Sequence, residues 1–320
     1  MDLTAWAMPW IAALFFVGVI LLFGGGNAMV HGSSRLARIL GIPPIIVGLT
    51  IVALGTSMPE FLVSMIAALK NKPDLALGNI VGSNVSNLGL ILGLSALVRP
   101  IAVHLKLLKF EVPLLVGVSV YFWIICFNGT LSRFDGLTLT LGFIVYLVIV
   151  ISGARKGSDI LEKKYNPLKS EKKQIGINIL FIIVGIVGLT VGASWTVDSA
   201  IEISIRMGVS QLILGLTLVA IGTSLPELST SIIAALKKEG DISIGNIIGS
   251  NIFNMMAIAG PTAAVHPLPV SRELIYNQLP IMIGLTIILW PLLRSGRQLG
   301  RVEGGFLLLS YIIIILWWTW

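Results

Sequence analysis

Residues 47–70 read VGLTIVALGTSMPEFLVSMIAALK, and residues 214–237 read LGLTLVAIGTSLPELSTSIIAALK. The two stretches belong to a longer repeat, because residues 41–93 align without a gap onto residues 208–260, with 28 of the 53 positions identical. Identity at that level over that length is far beyond coincidence. The chain therefore contains a duplicated unit.

The composition around the repeat is that of a membrane protein. Of the 320 residues, 56% are hydrophobic and only 12% are charged, against about 25% charged residues in an average soluble domain. This composition excludes a disordered chain, a nucleic-acid-binding module and an ordinary cytosolic enzyme. The single cysteine, Cys126, excludes an internal disulfide and a cysteine-based metal site.

Apolar stretches of about 18 residues or more predict membrane-spanning helices. Ten such spans follow one another, and we number them in chain order: 5–30, 42–69, 74–98, 107–127, 134–153, 175–200, 209–236, 241–265, 275–293 and 303–320. The duplication divides them into a first five-helix repeat, residues 1–153, and a second, residues 175–320, joined by a linker loop at 154–174. Five is an odd number, so the two copies must enter the membrane from opposite sides. The predicted fold is an all-α integral membrane protein with ten transmembrane helices in two inverted repeats.

Basic residues predict the orientation, because loops that stay in the cytoplasm carry an excess of Lys and Arg. With both termini outside, the inner loops carry 17 basic residues and the outer loops carry 5. Seven of the 17 lie in the loop at 154–174. We therefore expect a multi-pass protein of the cell membrane with both termini extracellular and the central loop cytoplasmic.

Inverted repeats are typical of secondary transporters, whose site lies near the membrane midplane where the repeats meet. A duplicated helical scaffold without transport is the alternative interpretation. Two acidic residues favour transport: Glu60 and Glu227 occupy the middle of spans 2 and 7, whereas most other acidic residues lie in loops or at span ends. A carboxylate at that depth is costly and is a functional-site candidate by default. No Lys, Arg or His lies at comparable depth, so the pair needs protons or bound cations.

Each repeat carries two stripes of polar residues spaced four apart, which places each stripe on one helix face. The stripes are Thr56, Glu60 and Ser64; Asn79, Ser83 and Asn87; Thr223, Glu227 and Ser231; and Asn246, Ser250 and Asn254. Pro59 and Pro226 lack an N–H, so spans 2 and 7 are expected to be broken helices. The carbonyls freed near Ala53 and Ala220 would face a polar cavity. Carboxylate, hydroxyl, amide and carbonyl oxygens together suit Ca²⁺ and, in part, Na⁺.

Four motifs characterise the repeat: GTSMPE at 55–60, GTSLPE at 222–227, GNIVGSNVSN at 78–87 and GNIIGSNIFN at 245–254. With the ten-span arrangement, they resemble the cation/Ca²⁺ antiporter superfamily, most closely its prokaryotic Na⁺/Ca²⁺-exchanger-like branch. The resemblance implies a rigid core of spans 2, 3, 7 and 8, against which spans 1 and 6 slide to alternate access. The glycines at 24–26 and at 192 suit either sliding or tight packing.

Carried over by motif position, the resemblance makes Glu60 and Glu227 the principal Ca²⁺ ligands, with further oxygens from Thr56 and Thr223. It also implies flanking Na⁺ sites formed by Ser57, Ser83, Ser224 and Ser250 with the carbonyls of Ala53 and Ala220. Asn87 and Asn254 would complete the centre of the site. Some members carry Asp at one of these two Asn positions. Because both positions are Asn here, the centre of the site has two carboxylates instead of three. Within the resemblance, this argues against a K⁺-dependent antiporter.

The resulting prediction is a secondary antiporter that exchanges Na⁺ for Ca²⁺ by alternating access at an all-oxygen site near the midplane. H⁺/Ca²⁺ exchange is the alternative within transport, since the same glutamates could exchange protons for metal, and an ion channel is a further alternative. We expect no enzymatic activity and no cofactor, because the Ser and Glu residues lack a His partner and no phosphate-cradling loop is present. The expected partners are Ca²⁺, Na⁺ (or H⁺) and the lipid bilayer, with neither nucleic acid nor an obligate protein partner.

Overall fold

The computed structural model describes residues 3–4, 6–105, 107–156, 172–207 and 220–319 of the chain. Most of these residues are helical. The helices are Met8–Leu40 (span 1), the pair Pro44–Thr56 and Met58–Leu69 (span 2), Pro73–Val98 (span 3), Leu107–Cys126 (span 4), Arg133–Lys156 (span 5), Lys172–Arg206 (span 6), the pair Ala220–Thr223 and Leu225–Leu236 (span 7), Gly240–Val265 (span 8), Leu274–Arg294 (span 9) and Arg301–Thr319 (span 10).

Among the described residues, eight helices are long and apolar enough to cross a membrane, and the bent pair in span 2 adds a ninth crossing. The prediction of an all-α membrane fold is confirmed. Span 7 is described only from Ala220 onward, and its predicted first part, 209–219, lies outside the described residues, so the count of ten stays a prediction. The helix of span 1 runs to Leu40, ten residues past its predicted boundary, because charged residues such as Arg35 and Arg38 form helix as readily as apolar ones.

Span 2 is broken where the sequence predicts a break. Ser57 has φ −86° and ψ 8°, outside helical geometry, and the two helices that it separates are bent by 46°. Ser224 has nearly the same conformation, φ −87° and ψ 4°, between the two helices of span 7. In each case the proline lies in the first turn of the following helix, where its missing N–H removes no intrahelical bond.

The duplication is also visible in irregular details of the backbone. Wide π-helical turns begin at Asn87 and at Asn254, and another two begin at Leu107 and at Leu274. Both pairs are separated by 167 residues, which is the offset of the sequence repeat. Turns of this kind are rare and frequently occur at functional sites. Two of them start at residues that the sequence places in the cation site.

Short strands connect loops from the two halves. Strand β1 (Ile101–Ala102) pairs antiparallel with β4 (Gln298–Leu299), and β2 (Thr130–Leu131) pairs with β3 (Leu268–Pro269). The two pairs lie at opposite ends of spans 4 and 9, so the same loop contact recurs on each side of the membrane, as an inverted duplication requires. Span 3 packs against span 10, and span 5 packs against span 8. The two halves therefore interlock.

The spans differ in how deeply they are buried. In spans 3 and 8, 78% and 94% of the apolar window is buried inside the protein, against 22% and 28% in spans 1 and 6. Large side chains of the latter two, including Phe16, Ile20 and Leu180, are exposed, as expected for a surface that faces lipid. Spans 3 and 8 form the centre of the molecule, and spans 1 and 6 form a peripheral pair.

The peripheral pair is in contact through its backbones. A methyl group placed on Gly25 would lie 2.7 Å from the backbone nitrogen of Leu189, and one on Gly192 would lie 2.7 Å from that of Leu22. Small residues permit this close approach between membrane helices. By contrast, a methyl group on Gly24 would meet no described atom within 4 Å. The sequence could not distinguish these neighbouring glycines.

We expect Gly25→Ala to lower the thermal unfolding temperature of the purified protein, and Gly24→Ala to leave it unchanged or to raise it. The methyl group at position 25 must push spans 1 and 6 apart, and overpacking of this kind costs about 1–3 kcal/mol. At position 24 only the helix propensity improves. The two unfolding temperatures, measured in the same detergent by intrinsic fluorescence, check the contact; identical values would contradict it.

Candidate cation site

Glu60 and Glu227 are both completely buried, with 1% and 0% of their surface exposed. Each is the third residue of the helix that follows its break, Met58–Leu69 and Leu225–Leu236. The unpaired N–H groups at a helix start carry partial positive charge, which favours a carboxylate at this position. The breaks in spans 2 and 7 thus explain how two acidic residues are tolerated inside the membrane fold.

The two carboxylates belong to one site built from both repeats. Ser57 of the first repeat donates its hydroxyl proton to Glu227 of the second, with Oγ 2.9 Å from Oε1, and the helix that carries Glu227 contacts the first helix of span 2. The second oxygen of Glu227 and both oxygens of Glu60 have no hydrogen-bond partner among the described residues. Neither carboxylate belongs to an ion pair within that part of the chain. A bound cation would compensate these charges.

Further buried oxygens near the two glutamates lack hydrogen-bond partners among the residues that the structure describes. They are the hydroxyl oxygens of Ser83 and Ser224 and the amide oxygens of Asn87 and Asn254. The turn at Asn87 contacts the helix that carries Glu227, and the turn at Asn254 contacts the helix that carries Glu60. Because buried polar groups are nearly always hydrogen-bonded, this concentration of free oxygens indicates a site for cations.

Thr56 and Thr223 are held by hydrogen bonds that cross between the halves. The Thr56 hydroxyl lies 3.1 Å from Oδ1 of Asn246, whose amide nitrogen donates to Ser231 at 3.1 Å. The matching relay of hydrogen bonds joins Thr223 to Asn79 at 3.3 Å and Asn79 to Ser64 at 2.9 Å. The Thr56 hydroxyl also lies 3.1 Å from the carbonyl oxygen of Val52; whichever acceptor takes its one proton, the lone pairs of the hydroxyl oxygen stay available to a cation.

Asn84 and Asn251 are site residues that the sequence analysis missed. The amide nitrogen of Asn254 donates to Oδ1 of Asn84 at 3.2 Å, and that of Asn87 donates to Oδ1 of Asn251 at 3.2 Å. Each bond uses the nitrogen end of a predicted ligand and leaves its oxygen without a partner. The available signal was the repeated Gly-Ser-Asn within the GNI motifs; it falls outside the stripes spaced four apart.

The remaining predicted ligands lie close to this centre. The Ser250 hydroxyl oxygen is buried and has no hydrogen-bond partner among the described residues. The carbonyl of Ala53 accepts the N–H of Ser57 at 3.0 Å, and the Thr56 hydroxyl lies 3.3 Å from the same oxygen, so both of its lone pairs have partners in span 2. Ala220 begins the short helix at the corresponding place in span 7. The side-chain ligands therefore have stronger structural support than the two carbonyls.

A third buried carboxylate lies outside the duplicated set. Glu111 is 1% exposed on the π-helical turn Leu107–Glu111 of span 4, and the Tyr146 hydroxyl of span 5 donates to it at 3.2 Å. The sequence analysis expected acidic residues other than the glutamates of spans 2 and 7 mostly in loops or at span ends. The repeat offset places the neutral Gln278 at the matching position, so no repeat pattern marked Glu111.

Comparison with known proteins identifies the family. The sequence profile described as "Sodium/calcium exchanger protein" matches residues 10–152 and again residues 177–320. The inner membrane protein YrbG of Escherichia coli (strain K12) is 38% identical over 320 residues, which cover 96% of each chain. The sodium/calcium exchanger MaX1 of Methanosarcina acetivorans is 29% identical over 337 residues, covering 94% of this chain and 96% of that protein.

A solved structure agrees with these relatives. The sodium–calcium exchanger NCX_Mj, soaked with Na⁺ and Ca²⁺, matches with a TM-score of 0.84 at 32% identity over 96% of this chain and 98% of its own. The match covers both halves, and the resemblance seen in the paired motifs is confirmed. The chain belongs to the sodium/calcium exchanger protein family, whose members are multi-pass membrane antiporters of Ca²⁺ and other cations.

Proposed function

We propose that this antiporter exchanges Na⁺ for Ca²⁺ at the buried site between spans 2, 3, 7 and 8. The observation that carries the proposal is the concentration, around Glu60 and Glu227, of oxygens that have no hydrogen-bond partner in the described part of the chain. All of them are carboxylate, amide or hydroxyl oxygens, a set that suits Ca²⁺ and Na⁺ rather than metals that prefer nitrogen or sulfur. The similarity to MaX1 and NCX_Mj, which are both named as sodium/calcium exchangers, supports the choice of ions.

Charge balance explains how one site can serve both ions. Two ionised glutamates carry −2, so one Ca²⁺ brings the site to zero, and two or three Na⁺ bring it to 0 or +1. Because both loads need the same oxygens, binding of one ion displaces the other. Since leaving the buried charges uncompensated is costly, the site would change its orientation only when loaded, which couples the two fluxes.

We assign the ligands as follows. Glu60 and Glu227 bind Ca²⁺ directly, and Thr56 and Thr223 add hydroxyl oxygens. The flanking Na⁺ sites and the centre are formed by Ser57, Ser83, Ser224, Ser250, Asn87 and Asn254, with the carbonyls of Ala53 and Ala220. The relays through the amides of spans 3 and 8 hold this set in place from both repeats.

We further propose that the peripheral pair, spans 1 and 6, moves across the centre to alternate access. The pair is far less buried than spans 3 and 8, and its backbone contact lets the two helices move as one body. One moving span comes from each repeat, residues 1–153 and 175–320. The linker at 154–174 would be cytoplasmic and both termini extracellular, which agrees with the distribution of basic residues.

Transport by the purified protein in proteoliposomes tests the coupling ion. We expect an outward Na⁺ gradient to drive radioactive Ca²⁺ into the vesicles while the pH is clamped at the same value on both sides. Uptake should stop when Na⁺ is replaced by choline and should saturate with Ca²⁺. Protein-free vesicles of the same lipid control for leakage.

Two results would contradict the proposal in different ways. Uptake that is driven by a pH gradient and does not depend on Na⁺ would identify H⁺/Ca²⁺ exchange by the same glutamates. Uptake that requires no counter-ion and does not saturate would identify a channel.

A further inference from the structure

The helix of span 1 is longer than a membrane crossing needs. Its 33 residues, Met8–Leu40, extend about 50 Å, whereas the hydrocarbon core of a bilayer is about 30 Å thick. The exposed aromatic side chains Trp10 and Phe16 near its start belong to the apolar part. Its last turns, from His31 onward, therefore reach the level of the lipid headgroups on the side that the basic residues predict to be cytoplasmic.

These last turns border a cavity of about 320 Å³ that is rich in cationic side chains. The polar residues around it are His31, Ser34, Arg35, Arg38, Lys237 and Glu239. Two arginines and one lysine face one carboxylate, so the cavity carries a net charge of +2 with a neutral histidine. Residues of span 1 and of the connection between spans 7 and 8 contribute to it together.

The single carboxylate of the cavity is already paired. Glu239 accepts a bond from Arg38 at 2.6 Å and another from the Ser34 hydroxyl. Among the residues that the structure describes, Lys237 donates to the carbonyl of Asn27, at 3.4 Å. Arg35 is exposed and forms no ion pair within the described part of the chain. Two positive charges are thus left for an anion.

A second cavity, of about 400 Å³, adjoins the first and shares Arg35 and Arg38 with it. It runs between the end of span 1 and the start of span 6, past Ile39 and Ile177, and its wall is mostly apolar. A cationic pocket at headgroup depth therefore opens directly into an apolar groove. This combination matches a molecule with an anionic head and a hydrocarbon chain.

We propose that the two cavities form a binding site for an anionic phospholipid of the cytoplasmic leaflet. The phosphate would bind Arg35 and Lys237, and an acyl chain would lie along Ile39 and Ile177. Charge complementarity and depth both favour a lipid, since basic pockets between membrane helices bind anionic headgroups and the cytoplasmic leaflet supplies them. The bound lipid would thus link the end of span 1 to the short loop between spans 7 and 8.

Native mass spectrometry of the full chain in detergent tests the site. Phosphatidylglycerol and phosphatidylcholine with the same acyl chains are titrated in parallel, and retained lipid is counted. We expect phosphatidylglycerol to bind with preference and the double variant Arg35→Gln/Lys237→Gln to lose about 30-fold in its affinity for that lipid. Arg38 and Ser34 are left intact because they pair with Glu239.

The matched control is Arg133→Gln/Arg272→Gln, which removes the same charge from exposed positions on the opposite face of the molecule. It should bind phosphatidylglycerol like the parent, and both double variants should unfold at the parental temperature without added lipid. Equal binding of the two lipids, or equal loss in both double variants, would overturn the proposal. A third arm uses inorganic phosphate: stabilisation by phosphate as strong as by phosphatidylglycerol would show a soluble anion site instead.

Discussion

We expect Na⁺-driven Ca²⁺ uptake to fall at least about 100-fold when either Glu60 or Glu227 is replaced by glutamine. Each substitution keeps the shape of the side chain and removes one of two negative charges, so a bound Ca²⁺ would retain an uncompensated positive charge in a buried site. Removing one partner of a buried ion pair costs about 3–5 kcal/mol, and each 1.4 kcal/mol is a factor of ten in affinity. The measurement is initial uptake into proteoliposomes at equal protein density.

A second measurement separates loss of function from loss of fold. Without Ca²⁺ or Na⁺, the glutamine variants should unfold at the parental temperature or above it, because one buried charge and its repulsion are gone. Ca²⁺ should raise the unfolding temperature of the parent, since a ligand that binds the folded state stabilises it, but not that of the variants. Glu273→Gln, at an exposed position, is the matched control for both assays. Near-normal uptake by either site variant would refute the assignment.

The other large effect is expected at Asn84, which we place behind the ligands rather than among them. Asn84→Leu removes the oxygen that accepts the amide of Asn254. That amide can then rotate and present its NH₂ group, instead of its oxygen, to the cation. Losing a buried hydrogen bond of this kind costs about 1–3 kcal/mol, so we expect the Ca²⁺ concentration for half-maximal uptake to rise about 10- to 100-fold.

Asn84→Asp is the informative counterpart, because aspartate keeps an acceptor oxygen for Asn254. It should retain most of the apparent Ca²⁺ affinity that the leucine variant loses. Equal loss in both variants would indicate that Asn84 acts by packing, and an unchanged leucine variant would exclude the positioning role. Asn251→Leu should reproduce the effect through Asn87. In the structure Asn84 also contacts Met282, with its amide nitrogen 3.6 Å from the sulfur; the repeat position that matches Met282 holds Leu115, which has no acceptor atom in its side chain.

Much of this architecture could be predicted because the duplication supplies an internal comparison. A carboxylate and a proline occur at the same position in both copies, so each copy predicts a broken helix. Ser57 and Ser224, which lie at the two breaks, have nearly the same backbone conformation. Except at the C-terminal ends of spans 1 and 6, helix limits followed from hydropathy because lipid-facing positions must be apolar. The glutamates stood out because charge at membrane depth is rare.

The contacts between spans could not be predicted in the same way. Spans 3 and 8 are buried on nearly all sides, so periodicity does not show which face meets which neighbour. The bonds from Asn254 to Asn84 and from Thr56 to Asn246 depend on that choice. The π-helical turns at Asn87 and Asn254 rotate the helix faces beyond them, which a stripe spaced four apart does not capture. Glu111 lies near a span end, as the sequence indicates, and only its burial could not be predicted, because a residue near a span end can still be covered by a neighbouring helix.

The interlocking of the two halves has an evolutionary consequence. Span 3 packs on span 10, span 5 packs on span 8, and each strand pair takes one strand from each half, so half of this chain would leave these surfaces uncovered. A half-length ancestor would have been stable only as a pair of copies inserted in opposite directions. The ancestral protein must then have inserted in both orientations, which requires similar numbers of basic residues in the loops on the two sides of the membrane. The imbalance of 17 to 5 between the predicted inner and outer loops would have arisen after gene fusion, when each copy became committed to one orientation.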